Sequence, residues 1–286
     1  MNRSEWAKSS YASLLLVLFS EISMTSSASL AKSMFAVLPP TGVTALRLGC
    51  AALILALIFR PWRRGLPTGS WPATIWYGIS LACMNLSFYL AIERIPLGVV
   101  VGIEIMGPLG VAVLNSRKKM DFLWIGCAVL GLALLLPLHD FAQAIDPVGL
   151  LFAVCAGLFW ALYIIFGKKS SGQTGPISVS IGIGLGALLI LPLGLWEAGS
   201  QLFSPVMLAY GFALGIISSA LPYSLEMMAL RRLPARVFGM LMSLSPALAA
   251  LSGFLFLGEI LSVAQWGGLC CIVAASAGTS LTSHGQ

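Results

Sequence analysis

The stretch "AIERIPLGVVVGIEIMGPLGVAVL" (Ala91–Leu114) aligns at one fixed offset with "ALRRLPARVFGMLMSLSPALAALS" (Ala229–Ser252). Ala91 meets Ala229, Arg94 meets Arg232 and Pro96 meets Pro234. Val99 then meets Val237, Pro108 meets Pro246 and Ala112 meets Ala250. Chance alone rarely brings two prolines into register between matched apolar positions, so the alignment reads as an internal repeat. It divides the chain into halves, 1–143 and 144–286, that share one architecture.

Composition says what each half is made of. The 286 residues are 58% hydrophobic and only 9% charged, with mean hydropathy +0.96. A soluble domain carries about 25% charged residues. The apolar runs are too long and continuous for barrel strands, so the chain reads as an all-α integral membrane protein. At about 20 apolar residues per crossing, the predicted spans are Tyr11–Val37, Gly42–Phe59, Trp71–Ile92, Leu97–Leu114 and Phe122–Leu138 in the first half. Pro147–Gly167, Ile177–Trp196, Met207–Leu230, Ala235–Leu257 and Ala264–Leu281 make up the second. That is ten transmembrane helices. The first resembles a signal peptide, but Glu21 and the continuing run to Val37 argue against cleavage.

The net charge of +6 describes topology, not nucleic-acid binding. Arg3, Lys8, Arg60, Arg63, Arg64, Arg117–Lys119, Lys168, Lys169, Arg231, Arg232 and Arg236 fall on one side of this layout. Glu93, Asp140, Asp146, Glu197 and Glu259 collect on the other, where Arg94 is the lone loop cation. The positive-inside rule then predicts both termini in the cytoplasm. The six cysteines lie in apolar runs without metal-ligand spacing, and His139 and His284 lie in a loop and a tail, so no metal or other cofactor is expected.

A repeat of five spans is odd, so the second copy is inverted in the bilayer. Glu93 of an outer loop meets Arg231 of an inner one, and further on Arg117 aligns with Glu259 and Trp124 with Trp266. The predicted fold is therefore ten transmembrane helices as two inverted five-helix repeats. Inverted repeats around a midplane site are the sequence sign of an alternating-access transporter.

Five ionisable residues fall inside the spans: Glu21, Lys32, Arg47, Glu104 and Glu226. Each costs about 2.5–3.5 kcal/mol at the centre of a bilayer, so each should face protein or a watery cavity. Glu104 and Arg47 are at similar depth, and an ion pair between them is compatible with that depth. Pro108 cannot bond the carbonyl four residues back, which belongs to Glu104; Pro246 does the same to Met242. Both prolines are candidate hinges. Glu21, Thr25, Ser29 and Lys32 share one helix face, widened by nearby serines, and read as a pore lining as well as a packing face. Asn85, Phe88 and Tyr89 on the third span, and Trp160 and Tyr163 on the sixth, are candidate cavity walls. Glu226 is either a further cavity residue or an interfacial partner of Arg231 and Arg232. Gly182, Gly184 and Gly186 read as a close-packing face.

The span count and "FLGE…QWGG" near the end resemble the EamA-domain branch of the drug/metabolite transporter superfamily. "ASLAKSMF", "GVTALRL", "MNLSFYLAIERIPLGVVVGIEIMGPL", "ALPYSLEMMALRRLP" and "FGMLMSLSPALAALSGFLFLGE" are similar to the bacterial inner-membrane threonine/homoserine exporters, nearly end to end. The resemblance implies proton-coupled export of small neutral amino acids or related metabolites from a bacterial inner membrane. A zwitterion needs a cation for its carboxylate, which Arg47 or Lys32 supplies, and an acid or carbonyl for its ammonium, which Glu104 supplies. Glu104 or Glu21 is then the expected group to alternate between proton and amine. The expected partners are that substrate, protons and lipid, with the chain acting as a monomer.

Efflux of cationic drugs is the alternative within transport, and Arg47 and Lys32 count against it. An intramembrane enzyme is the alternative from another class. The sequence has no acid cluster for a metal, no His-Glu metal motif, no nucleophile with a base and no Gly-rich nucleotide loop.

Overall fold

The computed structural model describes residues 3–95, 97–116, 119–135, 146–172, 175–248, 251 and 262–283. Pro96, Arg117, Lys118, His139, Asp140, Glu259 and His284 lie outside them, as do the side chains of Arg3, Lys8, Ser29, Lys32 and Arg64.

The described residues are helical, with no strand among them. In chain order the helices are α1 (Arg3–Ser33), α2 (Pro40–Phe59), α3 (Trp71–Arg94), α4 (Leu97–Glu104), α5 (Met106–Leu114) and α6 (Lys119–Leu135). α7 (Pro147–Ser170), α8 (Gly175–Ala198), α9 (Pro205–Arg232), α10 (Ala235–Met242) and α11 (Val263–Ser283) follow. Proline opens α2, α3, α7 and α9. There its missing N–H is harmless and its fixed φ suits the first turn. Asp146 and Ser204 add side-chain caps, accepting from the backbone N–H groups of Val148 and Met207.

Five helices are long and apolar enough to cross a membrane outright: α2, α3, α7, α8 with its 3₁₀ extension to Phe203, and α9. Shorter apolar segments occur at Ala12–Ser27, Val99–Leu114, Ala235–Leu248 and Val263–Thr279. The distribution of polarity matches a lipid environment. Leu57 is 69% exposed, Trp196 88% and Val263 90%, whereas Glu21, Arg47 and Glu226 are each 2% exposed. Helix α1 shows both sides of this rule. Leu15, Phe19 and Ile22 point outward, while Val17, Ser20 and Glu21 are buried against protein.

Two helices break within their apolar runs. The first is interrupted at Ile105, between α4 and α5. The second leaves α-geometry at 243–244, where Ser243 N–H reaches Met240 O at 3.2 Å and Leu244 N–H reaches Leu241 O at 3.1 Å; a helical turn resumes at 245–248. Each break follows the carbonyl that a proline, Pro108 or Pro246, leaves unpaired. A third irregularity lies in α9, where Ile216–Ala220 form a π turn.

Helix α3 packs on α7 and α8, α2 on α8 and α9, and α1 on α9; α5 packs on α7 and α10, and α6 on α11. Glycines set the closest crossings. A Cβ on Gly107 would lie 2.0 Å from the Gly157 carbonyl oxygen, and one on Gly239 2.6 Å from that of Pro108. The broken helix is thus pressed between α7 and α10. Of the expected glycine face on α8, Gly182 abuts the Tyr77 ring and Gly186 meets Ala82, while Gly184 has nothing within 4 Å.

Candidate functional site

Helices α1, α2, α3, α4, α7 and α9, with the turn after α10, enclose a cavity of about 130 Å³. By the same measure a single water needs about 10–15 Å³, so there is room for a small molecule. Apolar and aromatic side chains form much of the wall: Met24, Met84, Phe88, Tyr89, Leu97, Val101 and Trp160. The polar groups are Glu21, Thr25, Arg47, Asn85, Glu104, Ser218, Tyr223, Glu226 and Ser245.

Among the described residues Arg47 is the cavity's cation, and neutral groups hold it. Its Nη1 donates to Ser218 O at 3.2 Å and to Ser218 Oγ at 2.6 Å. Its Nη2 donates to Asn85 Oδ1, and the guanidinium carbon lies 5.0 Å from the centroid of the Tyr89 ring. The Nε is buried with no hydrogen-bond partner among the described residues. Asn85 is itself fixed by Tyr223, whose hydroxyl accepts from Nδ2 at 2.8 Å.

Ser218 can serve Arg47 because of the π turn. Pro222 has no N–H, so the Ser218 carbonyl four residues earlier loses its helical partner. The π turn opens the same stretch, and the freed oxygens turn to neighbouring helices: Ser218 O to Arg47 on α2, Ile217 O to Ser23 on α1 at 2.5 Å. Such turns are frequent at functional positions.

The three carboxylates differ in what surrounds them. Glu226 accepts from the Ser20 hydroxyl at 2.6 Å on Oε1 and from the Tyr163 hydroxyl at 2.7 Å on Oε2. Glu21 accepts from the Ser245 hydroxyl on Oε2. Glu104, 9% exposed, has no hydrogen-bond or ion-pair partner among the described residues.

Compared with the sequence reading, Glu21, Thr25, Arg47, Asn85, Phe88, Tyr89, Glu104, Trp160 and Glu226 stand together on this wall. Thr25 spends its hydroxyl proton on Glu21 O at 2.8 Å, within its own helix. Tyr163 stands one layer behind: it is fully buried and reaches the site through Glu226, because it lies nearly a helical turn deeper on α7 than Trp160. The side chain of Lys32 is outside the described residues. Pro108 and Pro246 are buried at the breaks and do not line the cavity. No Arg47–Glu104 ion pair forms. Ser218 and Asn85, from helices on either side of Arg47, have taken its amino groups. Glu226 is likewise bonded to Ser20 and Tyr163, not to Arg231 or Arg232. The Glu104 carbonyl that Pro108 frees lies against α7, 2.9 Å from where a Gly157 Cβ would be. Ser218, Tyr223 and Ser245 were not anticipated; Pro222 was the available signal for Ser218.

The model of the EamA-like transporter family matches residues 147–281. Over 269 residues, 94% of this chain and 91% of theirs, the chain is 46% identical to the threonine/homoserine exporter RhtA of Salmonella typhimurium and of Escherichia coli K12. The chain belongs to the EamA-like transporter family. The uncharacterized transporter YwfM of Bacillus subtilis is 28% identical over 251 residues, 82% of this chain and 84% of that one. A crystal structure 19% identical to this EamA-like chain covers 98% of both chains with a TM-score of 0.70, a likeness of fold alone. This EamA-like protein is thus a multi-pass membrane transporter and not an enzyme.

Proposed function

We propose that this transporter exports threonine, homoserine and related small neutral amino acids from a bacterial inner membrane, coupled to protons, by alternating access. The observation that carries the reading is the pairing of unmet needs on one wall. Arg47 has no counter-anion, and Glu104 has no partner at all among the described residues. A zwitterion supplies both: its carboxylate goes to Arg47, and its ammonium to Glu104, with Glu21 beside it. Phe88, Tyr89 and Trp160 then enclose the side chain. The relatives named as threonine/homoserine exporters support the substrate class.

The architecture we propose is ten spans in two inverted repeats, 1–143 and 144–286, acting as a monomer with both termini cytoplasmic. Exchanging the halves matches α1 with α7, α2 with α8, α3 with α9, the α4–α5 pair with α10, and α6 with α11. Under that exchange α3–α7 becomes α9–α1 and α3–α8 becomes α9–α2. The α2–α8 and α6–α11 contacts map onto themselves, and all of these pairs pack. Asn85 and Tyr223, which bond each other, fall at the offset that relates Ala91 to Ala229. That supports a pseudo-twofold axis passing beside Arg47, with Pro108 and Pro246 as hinges of matched helices.

Among the described residues, three carboxylates against one guanidinium also suit a cationic drug, but a cavity of about 130 Å³ is small beside the roughly 300–1,000 Å³ of drug-sized sites. Purified protein in proteoliposomes tests the reading. Labelled threonine or homoserine should move against its gradient when a pH gradient is imposed, and cationic dyes should not compete. Flux of dyes without amino acids refutes it.

A further inference from the structure

Two acids of the cavity differ in a way that divides labour between them. Glu104 has no partner on either oxygen among the described residues. Glu226 has both oxygens taken by hydroxyls fixed on other helices, Ser20 on α1 and Tyr163 on α7. A substrate ammonium binding Glu226 would share its oxygens with two hydroxyls already held there, whereas a proton is accommodated by one hydroxyl turning, since a hydroxyl both donates and accepts.

The surroundings extend the contrast. Tyr163 packs its ring between those of Tyr77 and Tyr223, with centroids 5.1 and 5.7 Å away. All three are fully buried. The Tyr77 ring fills a slot between Gly167 of α7 and Gly182 of α8, and its hydroxyl is buried with no hydrogen-bond partner among the described residues. One turn on, Thr74 and Ser170 share a hydrogen bond of 2.8 Å, and Ser178 donates to Ser170 O at 3.1 Å. Buried hydroxyls therefore continue from Glu226 toward the ends of α3 and α7 beside Lys168 and Lys169, away from Leu97 and Val101 of the cavity.

Among the described residues, the charged and titratable groups around Glu226 and its cavity are Glu21 on α1, Arg47 on α2, Tyr77 and Tyr89 on α3, Glu104 on α4, Tyr163 on α7 and Tyr223 on its own helix. Farther off, Lys168 is held by the carbonyls of Leu230 and Leu233, Arg236 on α10 by Asp121, and Glu197 on α8 by Thr41. None of these last three bonds Glu226.

We infer that Glu226, held by Ser20 and Tyr163, is the proton-binding site of the transport cycle, separate from the Glu104–Arg47 substrate site, and that the buried hydroxyls from Tyr163 toward Ser170 line the proton's route. This departs from the sequence expectation that Glu104 or Glu21 carries both. It rests on the proton-coupled reading above. The step is one proton adding to a Glu226 carboxylate oxygen and later leaving it; no other bond changes. Tyr163 is a positioning residue.

Two measurements test it. In proteoliposomes, the ratio of pH-driven threonine accumulation to threonine–threonine exchange should fall at least about tenfold in Glu226→Gln, with Glu226→Asp recovering much of it. Glu104→Gln should lower both fluxes together, and Tyr163→Phe should displace the pH midpoint of driven transport. The second measurement needs no substrate: the pH-difference infrared spectrum of purified protein should carry a protonated-carboxyl C=O band that Glu226→Gln removes. An unchanged flux ratio, or a band that persists in Glu226→Gln, overturns the assignment. Wild-type exchange that ignores the pH gradient overturns both the coupling and the assignment while leaving amino-acid transport intact. Absence of any amino-acid flux overturns only the substrate reading, and the infrared band then decides Glu226.

Discussion

Replacing Glu104 with glutamine removes a charge and keeps a shape. Its carboxylate has no partner among the described residues, so the substitution orphans no donor inside the protein. Stability should not change. The whole effect should fall on the substrate ammonium, which exchanges a charged acceptor for a neutral one. Hydrogen bonds to charged groups contribute about 1.5–3 kcal/mol, and neutral ones about 0.5–1.5. The difference, about 1–2 kcal/mol, weakens affinity about 5- to 30-fold. Calorimetric titration of purified Glu104→Gln with threonine and homoserine reads this directly, alongside a thermal melt in the same detergent. Glu226→Gln is the contrast, because the amide loses the charge that both hydroxyls serve and one of them must turn to accept from Nε2, so its melt should fall. An affinity within about twofold of wild type would refute Glu104 as the ammonium site. A fall in stability matching that of Glu226→Gln would refute the reasoning about free lone pairs.

Other outcomes follow from particular contacts. Gly107→Ala brings a methyl to 2.0 Å from the Gly157 carbonyl oxygen and should lower the melting temperature and transport, at about 1–3 kcal/mol for overpacking. Gly110→Ala, with nothing within 4 Å, is its silent control. Asp121→Asn leaves Arg236, 2.6 Å away and buried, without its counter-charge, at about 3–5 kcal/mol. The double variant Asp121→Leu, Arg236→Met should recover most of that in a thermal melt. The Val148 N–H, with Arg94 adding to it, holds the Asp146 carboxyl below its usual range. A depressed acid stabilises the fold above its unfolded value, about pH 4, and loses that contribution as pH falls through the folded value. Melts of Asp146→Asn should therefore lack part of the wild-type acid limb, and an identical limb would refute the cap.

The sequence revealed most about depth and least about adjacency. Pro108 predicted which carbonyl would go unpaired, and the helix breaks one residue beyond it, at Ile105. The same logic applied to Pro222 leads to Ser218 and so to the group that holds Arg47. Equal depth could not tell Glu104 from Asn85 as the partner of Arg47, because that depends on which helices lie side by side. Helical phase alone separates Glu226 from Arg231 and Arg232: residues five and six positions on point about 140° and 120° away in opposite senses. Nearness along the chain had suggested a pair that the helix does not allow.

The π turn of α9 also determines how the rest of that helix is aimed. A π turn holds an extra residue beyond what an α-helix of the same rise would need. Winding Ile216–Ala220 as regular α-helix with every residue kept would rotate everything beyond it by about 100°. Tyr223 and Glu226 would then swing off the cavity together, and the helix would be as apolar as before. The surplus residue in the π turn thus sets the aim of the second half of α9 without changing its composition.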